Sequence, residues 1–406
     1  MRVTAVLRRQ HLGNQFIYHW MIQGRKRIRE DGMKAALSSK GINIVDPKDV
    51  LNPVIPLKKV PEPPSLEETF TPPPPEKRDT TCHVFTQRFS PIMGLSQAQL
   101  ITNTLIRTAL PPHITKRADD THTTPEMGER VKEAILHAHL LDSHQEQLPR
   151  LPDVTKHPGW VFPVEYGIPL RRKNKTLNYQ LLLLLDQVEG CGLERQLVED
   201  SSIQVLLQHG NRLMQMKHDA AYLVSSPQPL PPVASLEEVQ EASGSEEMPD
   251  IYPMSPFINC RARDTYSLDE RYGVESASLH PHTVFMHHNQ PRMRQSQDGF
   301  MGMSLLYAFS HAAAYAKLVQ KNPTGDLKTS VTVQVVHIHC QHYHVGIFQL
   351  NTLNLTPSSQ NPTRNLFWTQ TWDCLFDSCK FETGRPVLQG YNPRVFNLLR
   401  ALHAQG

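Results

Sequence analysis

Apolar positions in the first half of the chain recur at the spacing of helices. A helix is predicted over 94–110, ending at Pro111 and Pro112, and a second one opens at Thr123-x-x-Glu126 with Pro125 in its first turn. Two more are predicted over Leu177–Val188 and Leu193–Leu207, with Gly190 and Gly210 at the positions of helix-ending glycines. The pattern therefore favours a mainly helical region over residues 81–224.

The second half combines a helix with strands. The stretch that begins at Gly299 is apolar nearly all round, which is typical of a buried helix. The stretch Val331–Leu355 reads as two strands, and Asn392 and Pro393 predict the start of a last helix. We therefore expect an α+β fold: a helical N-terminal half with a basic, proline-rich extension over 1–80, and a C-terminal mixed α/β region over 251–406 with an antiparallel hairpin. Residues 225–250, rich in Ser, Pro and Glu, are predicted to be a linker or surface loop.

Four histidines and a cysteine lie within eight positions of the predicted hairpin. With Cys340 and Gln341 in the turn, His339 faces His342 and His337 faces His344, so all four imidazoles project from one face. That geometry permits a zinc site, and a metal-dependent enzyme centred there is one hypothesis. The other face carries an apolar row, so the histidine face is expected to be the outer one, exposed or facing RNA. No acidic residue between 326 and 373 is available to orient the histidines, and we predict no metal ligand.

Charge is nearly balanced overall but not locally. Lys and Arg total 42 against 39 Asp and Glu, a net charge of +3, while the first 29 residues contain no acid. That start fits a cleaved mitochondrial import segment, a retained arm that contacts RNA, or a solvated basic helix face, and the sequence does not separate these. The basic residues there are Arg2, Arg8, Arg9, Arg25, Lys26, Arg27 and Arg29. A second basic patch, beside Tyr179, consists of Arg171, Arg172, Lys173 and Lys175. All eleven are predicted to bind RNA.

Other features narrow the class of protein. Six scattered cysteines without a CxxC pair indicate reduced thiols in an intracellular compartment. The longest purely apolar run, Leu181–Leu185, is far too short to insert in a membrane. The compact phosphate-binding, nucleophile and zinc-protease motifs do not occur, so no catalytic residue, cofactor or small-molecule substrate is predicted. His282, His287 and His288 are expected at the core edge and surface of a strand.

Several C-terminal segments resemble one protein family. "FQLNTLNL" (Phe348–Leu355) and "NLFW" (Asn365–Trp368), preceded by "IYPMSPFI", "PHTVF" and "YAFSHAAAYAKLV", resemble the mitochondrial large-subunit ribosomal protein family numbered thirty-seven. The resemblance implies a structural, non-enzymatic subunit in the mitochondrial matrix. It would contact large-subunit ribosomal RNA and neighbouring mitochondrial ribosomal proteins, including the paralogue numbered thirty. A transient ribosome assembly factor is the remaining alternative.

Overall fold

The computed structural model describes residues 32–45, 77–140, 146–148, 166–190, 194–274, 276, 278–289, 296–320, 325–356, 363–382 and 385–405. The chain divides into two units, 1–73 and 74–406. In the first unit, the described residues form helix α1 (Met33–Ser39), which buries none of its side chains. Within the described part of the chain, no helix is both long enough and apolar enough to span a membrane.

The second unit is built on one large mixed sheet. Its strands include β1 (Lys77–Thr86), β2 (Thr104–Arg107), β5 (Gln196–His209), β6 (Arg212–Ser226), β7 (Arg261–Thr265), β8 (Arg271–Tyr272), β9 (His280–His287), β10 (Asp326–His339), β11 (His342–Thr352), β12 (Asn365–Thr369) and β13 (Asp373–Cys374). Two small antiparallel pairs stand apart, namely β3 (Glu146–Gln147) with β4 (Tyr166–Gly167), and β14 (Ser378–Glu382) with β15 (Arg385–Gln389).

The strand order across the sheet is β2-β12-β11-β10-β9-β6-β1-β7, with β5, β8 and β13 attached beside this path. The pairs β2–β12, β9–β10 and β1–β6 are parallel, and the other pairs on the path are antiparallel. Strand β6 is long enough to pair with β1 near its start and with β9 near its end, so it joins the two halves of the sheet.

Helices cover both faces of the sheet. They are α2 (Gly94–Thr102), α3 (Pro112–Asp120), α4 (Pro125–Ala138), α5 (Leu170–Glu189), α6 (Leu236–Ser245), α7 (Gln297–Gln320) and α8 (Pro393–His403). On one face, α7 and α2 share a core with alternate residues of the strands, such as Val335 and Phe348. On the other face, α3, α4, α5 and α8 pack against the intervening residues, such as Val336 and Ile347. Both faces of the central strands are therefore buried, as in other sheets that lie between two helical layers.

The α+β fold class is confirmed, and several elements match their predictions. The β10–β11 hairpin has the predicted register, with His339 opposite His342. The helix expected from Gly299 is α7, buried along most of its length. Pro125 lies in the first turn of α4, although Thr124 rather than Thr123 is its N-cap, and the Asn392 side chain caps α8 as expected. The segment 225–250 includes α6, which has a capping box formed by Ser235 and Glu238 and packs against β2 and β12.

Two predicted helices are wrong. The segment Leu193–Leu207 is mostly strand β5, because Gly210 and Asn211 form a two-residue hairpin turn into β6 rather than ending a helix. The helix predicted over 94–110 stops at Thr102, where Asn103 adopts a left-handed backbone with φ of 47°. The β-branched residues after Asn103 then form β2. In both segments, some of the leucines that are spaced as in a helix belong to strands.

Gly346 is a position where the sheet admits no side chain. A Cβ added to Gly346 would lie 2.4 Å from the Phe367 ring on the neighbouring strand β12. We expect Gly346→Ala to reduce the free energy of unfolding by about 1–3 kcal/mol through overpacking. The measurement is urea denaturation, with Gly244→Ala as the control, because Gly244 lies in α6 with open space around it. The control should be neutral or stabilise by up to about 1 kcal/mol, and an equal response of both variants would contradict the expectation.

Candidate nucleic-acid interface

The basic residues predicted to bind RNA fall in two regions. Arg2, Arg8, Arg9, Arg25, Lys26, Arg27 and Arg29 lie outside the described residues, and their RNA-binding role stays a prediction. Arg171, Arg172, Lys173 and Lys175 all lie in the first two turns of α5, which starts directly after Pro169. The geometry of the second group can therefore be followed residue by residue.

Four cations at the start of α5 oppose the helix dipole. The N-terminus of a helix carries a partial positive charge, so a cation placed there is unfavourable by roughly 0.3–1 kcal/mol unless an anion compensates it. The first turn of α5 contains no acidic residue, and no side chain caps it. The arrangement concentrates positive potential at one end of a 20-residue helix.

Two of the four cations are engaged within the protein. The Lys175 Nζ lies 3.0 Å from Glu199 Oε2 and 3.1 Å from Asp200 Oδ2. Hydrogen bonds to these two carboxylates raise the pKa of Lys175. Arg172 also takes part in an interaction within the chain. The charge that α5 presents outward therefore comes mainly from the other two residues, Arg171 and Lys173.

Arg171 and Lys173 line a cavity of about 450 Å³ next to the start of α5. Lys380 of β14 lines it as well, and Asp377 is the one acidic residue among its described lining side chains. The apolar part of the wall includes Ile168, Leu177 and Phe376. Lys380 was missed from the sequence, because it is an isolated lysine far along the chain that only the folding of β14 brings to this place. We call this cavity, with its three cations, the α5 pocket.

Titratable groups in the wall of the α5 pocket do not offset its charge. Burial lowers the pKa of His139, and the Lys173 ammonium lowers it further against a backbone hydrogen bond to Ile135, so His139 is neutral at pH 7. Burial raises the pKa of the Cys340 and Cys379 thiols, which therefore stay protonated despite the nearby Lys173. Three cations and one carboxylate thus define a net positive pocket.

Tyr179, the aromatic residue beside the basic patch, remains partly accessible. Its side chain is 40% exposed, and its ring stacks on Tyr222 with 6.3 Å between the centroids. In the sequence, Tyr179 lies beside the four cations of the second basic patch. In the structure it lies two turns along α5 from Arg171, and it is not part of the lining of the α5 pocket.

The histidine face of the hairpin is not an outer surface, and that prediction is wrong. His337 and His344 are 1% and 0% exposed, because α7 covers them. The Ser304 hydroxyl of α7 lies 3.0 Å from His337 Nδ1 and 2.8 Å from His344 Nδ1, and the Phe300 ring stacks on His337 at 3.7 Å. The apolar row on the opposite face is also buried, as predicted. These imidazoles hold α7 against the sheet through hydrogen bonds and ring stacking.

The described residues contain no group of three or more His, Cys, Asp or Glu side chains arranged to hold a metal. The nitrogens of His344 are taken up by Ser304 and by Thr369, whose Oγ1 lies 2.6 Å from Nε2. His282 on strand β9 and His288, the residue that follows this strand, are 1% and 6% exposed, so they are core rather than edge residues. The His344 imidazole is thus satisfied by two hydroxyl groups, whereas His288 Nε2 is buried without a hydrogen-bond partner among the described residues.

Comparison with known proteins finds relatives among large-subunit ribosomal proteins. No known protein-family profile matches the chain. The large ribosomal subunit protein mL37 of Rattus norvegicus is 26% identical over 347 residues, which cover 81% of this chain and 76% of the relative. The mL37 protein of Gallus gallus is 27% identical over 345 residues, covering 82% of this chain and 76% of the relative.

The chain is accordingly a mitochondrial ribosomal protein of the large-subunit class. Its similarity to mL37 proteins, at about 26% identity over 81% of the chain, supports the mL37 family, so the resemblance noted in its C-terminal segments is confirmed, and the mitochondrial location with it.

Proposed function

We propose that the chain is a structural component of the mitochondrial large ribosomal subunit that binds ribosomal RNA and neighbouring ribosomal proteins, including the paralogue numbered thirty, and so supports mitochondrial translation. The family of its relatives supports the assembly into a large subunit. The names of the same relatives support a structural rather than an enzymatic role.

The observation that carries RNA binding is the set of cations at the start of α5. Arg171, Lys173 and Lys380 meet in one pocket, and none of the three forms an ion pair with a described residue. An RNA phosphate placed there would compensate both the side chains and the helix dipole. The Arg171 guanidinium can donate two parallel hydrogen bonds to a phosphate, and the lysines add point charges.

Particle incorporation tests this proposal. We expect the wild-type protein to sediment with the large subunit in gradients of mitochondrial lysate, and to stay there after a high-salt wash. The Arg171→Gln/Lys173→Gln variant should enter that peak several-fold less, because phosphate neutralisation dominates affinity for RNA. The matched control is Arg172→Gln/Lys175→Gln, which removes the same charge from the same helix turns but from residues already engaged within the chain.

Three outcomes would decide against parts of the proposal. Absence of the wild-type protein from the large-subunit peak would reject the structural role altogether. Loss of the wild-type protein on salt washing would identify a transient assembly factor instead. Equal incorporation of both double variants and the wild type would show that the α5 pocket does not contact RNA.

A further inference from the structure

A second basic surface lies at the other end of the sheet. Strands β1, β6 and β7 form a groove of about 540 Å³, whose lining includes four cations from three separate segments of the chain: Arg88, Lys217, Arg261 and Arg263. We call this surface the edge groove. None of the four described residues predicted to bind RNA belongs to it, and the described lining residues of the α5 pocket and of the edge groove are all different.

Strand pairing brings these side chains to one face. In the register of the sheet, Arg261 lies opposite Val84 and Lys217 opposite Thr86. Val84 and Thr86 are alternate residues of β1 and point to the same side, and directly paired residues share a face. Arg263 follows Arg261 by two positions and joins them. The intervening residues of β1 and β6, such as Phe85 and Met216, point into the core beneath α7.

The described residues do not balance the charge of the edge groove. All four cations are exposed, and none of them forms an ion pair with a described residue. Asp219 is the acidic side chain among the lining residues, and its backbone carbonyl accepts a hydrogen bond of 2.5 Å from Gln87 Nε2. Four cations against one carboxylate leave a net positive surface suited to an anion that extends along it.

Protection of the sheet edge does not account for this pattern. Charged residues on an edge strand prevent pairing with other chains, and Arg261 and Arg263 on β7 would serve that purpose alone. Lys217, however, lies on β6, which is paired on both sides, and Arg88 follows the end of β1. Cations on an interior strand and in a loop point to a ligand rather than to the edge.

We infer that the edge groove binds the phosphate backbone of a single RNA strand, an inference that rests on the proposed function and adds a second contact site to it. Three arginines supply planar forks that match phosphate oxygens. Phe89, the aromatic residue that lines the groove, is 9% exposed and offers no open ring for a base to stack on. Recognition through phosphates, without preference for base sequence, therefore fits the lining.

The test is the salt dependence of RNA binding by the full-length protein. The probe is a fluorescent oligouridylate of about 16 nucleotides, within the span that single-strand sites cover. For Arg261→Gln/Arg263→Gln we expect affinity at low salt to fall by roughly tenfold or more. The slope of log K against log salt should decrease by about 1.4, since each lost phosphate contact removes about 0.7 for single strands. The control Lys116→Gln/Arg394→Gln removes the same charge from exposed positions on α3 and α8 and should change neither quantity.

The possible results separate the groove from the proposed function. An unchanged slope in Arg261→Gln/Arg263→Gln, together with weaker binding by Arg171→Gln/Lys173→Gln, would overturn the edge groove and leave the proposed function in place. No RNA binding by the wild type at low salt would reject both. If polyglutamate of equal charge binds as tightly as RNA and depends equally on Arg261 and Arg263, the groove is a site for acidic protein and the inference fails. If the groove acts as one surface, Lys217→Gln should lower the salt slope by about 0.7, which is half of the decrease expected for Arg261→Gln/Arg263→Gln.

Discussion

Lowering the pH from 7 to about 5 is expected to remove most of the stability of the unit formed by residues 74–406. Burial lowers the pKa of six histidines far below the ordinary value of 6.5: to about 3 for His218, His282, His287 and His344, and to about 4 for His288 and His311. At pH 5 each of these groups favours the unfolded chain by about 2 kcal/mol. Together they approach the total stability of about 5–15 kcal/mol typical of a domain.

The direction follows from proton binding in the two states. A histidine with a depressed pKa stays neutral in the folded protein, whereas the unfolded chain takes up a proton below pH 6.5. The stability is therefore fully present above about pH 6.5 and is lost as the pH falls toward 3–4. Urea denaturation at a series of pH values measures this loss as a falling midpoint.

His311 offers a direct check on the acid response. It lies on α7, fully enclosed, with its Nδ1 2.8 Å from the Tyr307 carbonyl. His311→Gln should lower the slope of the unfolding free energy against pH by about 1.4 kcal/mol per pH unit, because one proton fewer is taken up on unfolding. His113→Gln, at an exposed position on α3, is the control and should leave the dependence unchanged. A urea midpoint that does not move between pH 7 and 5 would refute the expectation.

Replacing Asn365 by Ala should cost roughly 4 kcal/mol or more of unfolding free energy. The Asn365 side chain is fully buried, and its Oδ1 accepts hydrogen bonds from the backbone N–H groups of Asn351 at 2.8 Å and Thr352 at 3.0 Å. Its Nδ2 donates to the carbonyls of Thr102 at 3.0 Å and Thr352 at 3.1 Å. Alanine removes a partner from each of these four backbone groups. The Thr102 carbonyl still accepts from the Thr104 hydroxyl at 3.2 Å, and each buried group that is left unpaired costs about 1–3 kcal/mol.

The Asn365→Asp variant tests whether the hydrogen bonds matter rather than the volume. Aspartate has nearly the same shape and keeps the acceptor, but it cannot donate to the two carbonyls. Chemical denaturation of Asn365→Asp should show a loss that grows when the pH is raised, because a buried carboxylate is then charged. The loss in Asn365→Ala should not depend on pH in this way. A loss below about 1 kcal/mol in Asn365→Ala would show that the four groups find other partners.

Local signals in the sequence predicted some elements well. The Asn392 cap and Pro393 each act within a few residues of the start of α8, so the sequence alone contains the relevant information. Strand β5 was mistaken for a helix because Leu206 and Leu207 are adjacent apolar residues, one partly buried and one buried, which interrupt the alternation of apolar and polar positions typical of a strand.

The same limit applies to the functional residues. Arg171 and Lys173 are neighbours in sequence and were found, whereas Lys380 and the cations of the edge groove come together only through strand pairing. The burial of His337 and His344 could not be read from the hairpin, because it depends on Ser304 and Phe300 in α7. Which face of a strand a helix covers is decided by tertiary packing, and no local pattern reports it.

The contact between α3 and α8 has a consequence for how the protein folds. The Arg117 side chain reaches the carbonyl of Ala404, 287 positions further along the chain, and the apolar faces of the two helices share one core. Because this core includes residues of α8, it cannot form completely until the C-terminal segment has been synthesised. Because long loops must be ordered before such contacts form, folding should be slow, on the order of milliseconds to seconds. Until then the apolar sides of α3, α4 and α5 stay open to other chains, which makes the incomplete chain a natural client for chaperones.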